Sequence, residues 1–364
     1  MGESVKSIRG CALRCLLAAS LVLLAAFTRD ASAQIWTGLG ADDNWSTGAN
    51  WLGGTAPASS STTSLTFQAP APRQSTVVDA PWTVNQMVIF GGFQFSGQPI
   101  TFAGTNPHIQ FSALSITIAN PIVLTAGLDL FAPPSGLELD GGITGTGGLG
   151  LGGLTVRYTL RGVSTYTGGT AVGPGTTLIV GGTVPGPVTL TSANAVLGGA
   201  GTISGPVIVN GSTSFAPGAV IAGILDVGDL TLAGNMLVTI AGTAQGTQYS
   251  SASVAGTVDL TGSSLSLSGT YVPVPGDVFT LIANDATDPV VGTFAGLPEG
   301  ATVNLNGMTL RLSYVGGTGN DVTLTAVAPV VPAAIPQVPT LSEWALVLLA
   351  MGVLAAGASR VRRR

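Results

Sequence analysis

The chain has 364 residues, 45% of them hydrophobic and only 8% charged, with 53 glycines, 22 prolines and a formal net charge of −5. Such sparse charge argues against an ordinary cytosolic enzyme, and so large an apolar fraction argues against a disordered chain. Lys6 is the only lysine, and between Gln34 and Pro339 acidic residues outnumber Arg73, Arg157, Arg161 and Arg311, which excludes nucleic acid as an expected partner.

Met1 to Ala33 reads as a secretory leader. Lys6, Arg9 and Arg14 form its positive region, Cys15 to Phe27 its apolar region, and Ala31-Ser32-Ala33 an A-x-A cleavage site before Gln34. The expected partners are the Sec translocon and signal peptidase. Cys11 and Cys15 both lie in this leader, so the mature chain is expected to have no thiol, disulfide or cysteine-based metal site. No cofactor is expected.

Gln34 to Gly54 carries Trp36, Trp45 and Trp51 around Asp42-Asp43-Asn44. Two readings stand. The indoles cover the open end of a core, or they form a flat platform for surface glycans. The acidic run forms a turn or offers hard oxygen ligands to calcium.

From Thr63 to Leu139, short β-branched and aromatic runs recur between turn residues, the signature of strands. Phe90, Phe93, Phe95, Phe102, Phe111 and Phe131 are expected to stack as an internal ladder. His108, the only histidine, sits in an Asn-Pro-His turn, without the partners that a triad or a zinc site needs.

Gly141 to Gly182 shows the design most plainly. Thr155 to Leu160 and Thr176 to Val180 are strand-like, and glycine pairs such as Gly168-Gly169 and Gly181-Gly182 lie between them. Glycine tolerates φ > 0, so each pair can turn a tight corner. Frequent corners without a helical period point to a β-solenoid, in which each coil buries one face on the next. Ser164-Thr165-Tyr166-Thr167-Gly168-Gly169-Thr170-Ala171-Val172, followed by Gly175-Thr176-Thr177-Leu178, resembles the autotransporter-associated β-strand repeat, with Ser164 in place of the usual Asn. The resemblance implies a right-handed parallel β-helix exposed outside the cell, and no chemistry. The Trp-rich opening is similar to the start of proteins with this repeat.

The solenoid is expected over residues 34–245, at roughly 20–25 residues per coil. Over 246–327 the runs lengthen and alternate, and Asn306-Gly307 signals a hairpin, so a partly antiparallel β cap is expected there. Gly316-Gly317-Thr318-Gly319-Asn320-Asp321 reads either as a turn or as one copy of a calcium repeat, with Asp321 as candidate ligand. Residues 328–340 form a Pro-rich linker.

Residues 341–364 read as a transmembrane helix and an Arg-rich cytoplasmic tail. Thr340 and Glu343 fit a capping box, Trp344 suits the membrane interface, and Gly352 and Ala356 form a small-xxx-small pair. Arg360, Arg362, Arg363 and Arg364 suit the positive-inside rule. The run Val338-Pro339-Thr340-Leu341-Ser342-Glu343-Trp344 with its apolar stretch and terminal arginines resembles the IPTL-CTERM sorting signal of Gram-negative bacteria, with Val338 where Ile is usual. The resemblance implies an exosortase-type protease as partner, inner-membrane anchoring before sorting, and a cell-surface or extracellular destination.

The expected product is all-β apart from that one helix, and non-enzymatic, with a structural or adhesive role in the envelope or matrix. A glycan-binding surface module is the alternative. A polysaccharide lyase or hydrolase fits less well: the body lacks lysine, and the close carboxylate sets considered for it are Asp129, Glu138 and Asp140, and Asp226 and Asp229.

Overall fold

Runs such as Trp82–Val84, Ile100–Phe102 and Ile122–Leu124 carry large apolar residues at their first and third positions. In an extended chain these two point to one face and the middle residue to the other. The computed structural model describes residues 34–112, 116–132, 136–218, 222–285, 288–328 and 343–362. It stacks the runs in parallel and in register. Trp82 lies against Ile100, Ile100 against Ile122, and Ile122 against Ile143.

Repetition of this step builds a parallel β-solenoid. Among the described residues the strands form sheets of eleven, ten, four and eight members. In the first and second sheets the chain returns to the same sheet once per coil. Buried columns run along their inner faces. In the first sheet, Leu65, Met87, Ile109, Leu130, Leu151, Val172, Leu190, Val209 and Leu232 follow one another in register. All are buried, each contributing roughly 1.5–3 kcal/mol. The coil length read from these partners varies from the 18 residues between Val172 and Leu190 to the 23 between Val209 and Leu232.

Corners fall on glycine where the next coil approaches closely. Gly199, with φ of 121°, ends the strand Val196–Gly199. A Cβ there would run into the carbonyl oxygen of Val180, one coil away.

Parallel pairing does not stop at the expected boundary after Gln245. Ser251–Val254, Val258–Asp259, Ser264–Ser268 and Val278–Ala283 each join the stack in parallel. The coil between Leu230 and its partner Val258 is longer, 28 residues, which hides the period in the sequence. Isolated bridges aside, antiparallel strand pairing among the described residues begins where Asp321–Ala326 lies against Val278–Ala283, and it continues through Met308–Gly316 to Thr302–Leu305. Leu305 pairs with Met308 across Asn306-Gly307, both at positive φ (50° and 88°), the two-residue hairpin that the dipeptide predicts.

The expected phenylalanine ladder does not form: Phe93 and Phe95 meet at 6.2 Å, while Phe102 and Phe111 lie in different sheets with aliphatic partners in register. Phe93, Phe95, Phe102 and Phe111 are in the core, but Phe90 and Phe131 are 41% and 47% exposed. Met87 and Ile89 take the inward positions of the strand Gln86–Phe90, so alternation turns Phe90 outward.

Candidate functional site

Among the described residues the first strand, Gln34–Trp36, pairs with one other strand, Ser64–Gln68, and otherwise only with Trp51 through an isolated antiparallel bridge. The core is closed there by the three tryptophans, which are 1%, 0% and 2% exposed for Trp36, Trp45 and Trp51. Trp36 and Trp51 meet edge to face at 5.2 Å, and Trp45 and Trp51 at 6.1 Å. Phe67 of the next coil lies 6.0, 5.5 and 5.8 Å from Trp36, Trp45 and Trp51. Each indole N–H is satisfied: Trp36 donates to the Arg73 carbonyl at 2.8 Å, Trp45 to the Thr76 hydroxyl at 3.1 Å, and Trp51 to the Trp45 carbonyl at 2.7 Å. A sugar platform needs an exposed ring face, which none of the three offers. Their flat hydrocarbon is spent on the core.

Asp42-Asp43-Asn44 folds into a polar knot beside these rings. The Asp42 carboxylate accepts from the Thr47 hydroxyl at 2.9 Å, the Asn44 backbone N–H at 3.1 Å and the Asn50 amide at 3.3 Å. The Thr47 and Asn44 hydrogen bonds hold its pKa below the ordinary aspartate value. Asp43 pairs with Arg73 at 2.9 Å. Buried Asn50 also bridges Gly40 to the carbonyls of Asp42 and Asn44.

Asp321 is similarly engaged. One carboxylate oxygen accepts from the Asn284 N–H at 2.8 Å and the other from the Thr318 N–H at 3.0 Å. That arrangement closes the turn from Gly316 into the last strand. Among the described residues no group of three or more His, Cys, Asp and Glu stands close enough to hold a metal ion.

Three members of the carboxylate sets are engaged in the same way. Glu138 and Asp140 both face Arg161, at 3.0 and 3.4 Å. Asp229 accepts from the backbone N–H and hydroxyl of Thr257, at 2.8 and 3.0 Å. His108 opens the strand His108–Ser112, 6.5 Å from the Phe131 ring, and its Nδ1–H donates to the Asn106 carbonyl at 3.1 Å. The sequence reading missed one grouping. Arg157 and Arg161 are four residues apart on or beside a strand and so share a face, a signal that period-2 counting makes available.

Met1–Ala328 and Pro329–Arg364 form two compact units. The second contains the helix Glu343–Val361, 19 residues with Glu343 in its first turn and Arg360 in its last. At 1.5 Å per residue it is about 28 Å long, close to one hydrocarbon core. It is long and apolar enough to cross a membrane. Large apolar residues lie all round it, Leu346, Val347, Leu348, Leu349, Met351 and Val353 among them. Glu343, Trp344, Arg360 and Arg362 are placed on or just after this helix. Val338, Pro339, Thr340, Leu341, Ser342, Arg363 and Arg364 lie outside the described residues, as do Ala31 and Ala33 of the cleavage site. Gln34 begins the first strand.

No curated protein matches the chain. Residues 336–364 match the model of the IPTL-CTERM motif, so this β-solenoid carries a C-terminal sorting motif, the mark of an exported protein sorted to the surface.

Proposed function

We propose that the chain is a non-enzymatic structural or adhesive protein of the Gram-negative cell surface or extracellular matrix. It passes the Sec translocon, signal peptidase cuts after Ala33, and the helix Glu343–Val361 holds it in the inner membrane with its arginines on the cytoplasmic side. An exosortase-type protease then cuts near Pro339-Thr340-Leu341 and hands on the body. The coil around Tyr166 is of the autotransporter-associated type.

The observation that carries this reading is the sorting motif at residues 336–364, joined to a body of stacked coils. Two further features support it. The stack needs neither thiol nor metal for stability. Three of the carboxylates that a glycosidase would use in pairs are tied up, Glu138 and Asp140 to Arg161 and Asp229 to the N–H and hydroxyl of Thr257.

The test is a triple variant, Pro339→Ala with Thr340→Ala and Leu341→Ala, expressed in the native host. Wild type is expected shortened in the surface or extracellular fraction. The variant is expected to stay in the inner-membrane fraction with its helix attached. Equal release of both proteins would sink the proposal.

A further inference from the structure

The outer face of the ten-stranded sheet carries a column whose members lie in register: Glu138, Thr159, Ile179, Gly198 and Ala216. Along this line the side chains shrink to Gly and Ala. Beside this line lies a groove of about 490 Å³, lined by Glu138, Thr159 and Ile179 of the column, bordered by Arg157 and Arg161 and continued past Gly181, Gly199 and Ala200. That volume lies within the roughly 300–1,000 Å³ usual for small-ligand sites.

The polar groups of the groove are unequally occupied. Arg161 is neutralised by Glu138 and Asp140. Arg157 is exposed, and among the described residues no carboxylate lies within ion-pair distance of it. Thr159 is only 7% exposed, yet it lines the groove. A free guanidinium beside a shallow floor of Ile, Ala and Gly is a local exception in a body where acids outnumber bases.

We infer that this groove binds a carboxylated sugar, a uronic-acid unit of an acidic polysaccharide. The planar guanidinium of Arg157 matches a carboxylate in bidentate geometry. The floor suits the C–H face of a pyranose ring, and Thr159 and Glu138 stand where ring hydroxyls would meet them. An acidic peptide fits less well. Peptides add to free sheet edges, and the strands here are paired on both sides, Arg157–Leu160 with Gly136–Leu139 and with Thr177–Val180. The inference rests on the adhesive reading above and names its partner class.

The test is calorimetric titration of the purified full chain in detergent with polygalacturonate, with neutral dextran and polyglutamate as controls. Wild type is expected to bind polygalacturonate alone, more weakly as salt rises. Arg157→Ala is expected to weaken binding about tenfold or more, and Arg157→Lys to restore only part of it. Gly181→Phe is the second variant. A Cβ at Gly181 meets nothing nearer than 3.7 Å and Gly181 lines the groove, so a ring added there is expected to occupy it. It is expected to abolish binding at an unchanged melting temperature. Absence of polygalacturonate binding, binding unchanged in both Arg157→Ala and Gly181→Phe, or equal binding of polyglutamate overturns the inference. The measurement uses purified protein, so its failure leaves the sorting proposal standing, and a failure of sorting leaves this binding intact.

Discussion

Trp45 has no exposed surface, touches two other indoles and Phe67, and donates its N–H to Thr76. Trp45→Ala is expected to cost about 3–5 kcal/mol in denaturant unfolding, the range for a large buried aromatic. A rim residue of a sugar platform would cost far less. Sequence alone left both readings open, because an indole is equally suited to a core and to a pyranose; only its burial separates them. Asp42 offers a test with a definite sign. Its folded-state pKa lies below its unfolded value, through hydrogen bonds from Thr47 and Asn44. Its contribution to stability is therefore complete above the ordinary aspartate value of about 3.9 and is lost as pH falls through the lower folded value. Asp42→Asn is expected to be less stable at neutral pH and to converge on wild type only once pH has fallen through the lowered folded value, when melting temperatures are followed across pH.

At the scale of the strand, alternation decides what each aromatic does. Phe111→Ala is expected to cost about 3–5 kcal/mol, and Phe90→Ala to stay within about 0.5 kcal/mol of wild type, although both residues lie on first-sheet strands. Equal costs in denaturant melts would contradict the register. Gly199→Ala should cost about 2 kcal/mol or more, because a positive φ and the Val180 carbonyl both oppose a methyl group. Strand existence and glycine corners were legible in the sequence, since both are local properties. The Asn306-Gly307 hairpin was legible for the same reason. The continuation of the stack to Ala283 was not. Coil length grows from 18 residues between Val172 and Leu190 to 30 at this step, and nothing local in Val278–Ala283 says that it pairs with Ser251–Val254 as well as with the following strand Asp321–Ala326. Parallel pairing is a non-local fact, set by which buried faces coincide. The groove beside Arg157 was hidden similarly, because its members come from four strands and neighbouring turns, which only stacking brings together.

At the scale of the whole molecule, two segments of opposite character serve one end. The body satisfies its backbone through coil-to-coil ladders and fills its interior with aliphatic columns. The apolar helix Glu343–Val361 suits a membrane and carries its basic residues at one end. The motif that includes this helix was the clearest part of the sequence, because its spacing is fixed by bilayer thickness and by helix geometry. The most direct measurement is the intact mass of the protein recovered from the surface or extracellular fraction, with both termini sequenced. The account predicts a chain that starts at Gln34 and ends upstream of Glu343, and a surface-recovered chain that still carries Arg364 would contradict it.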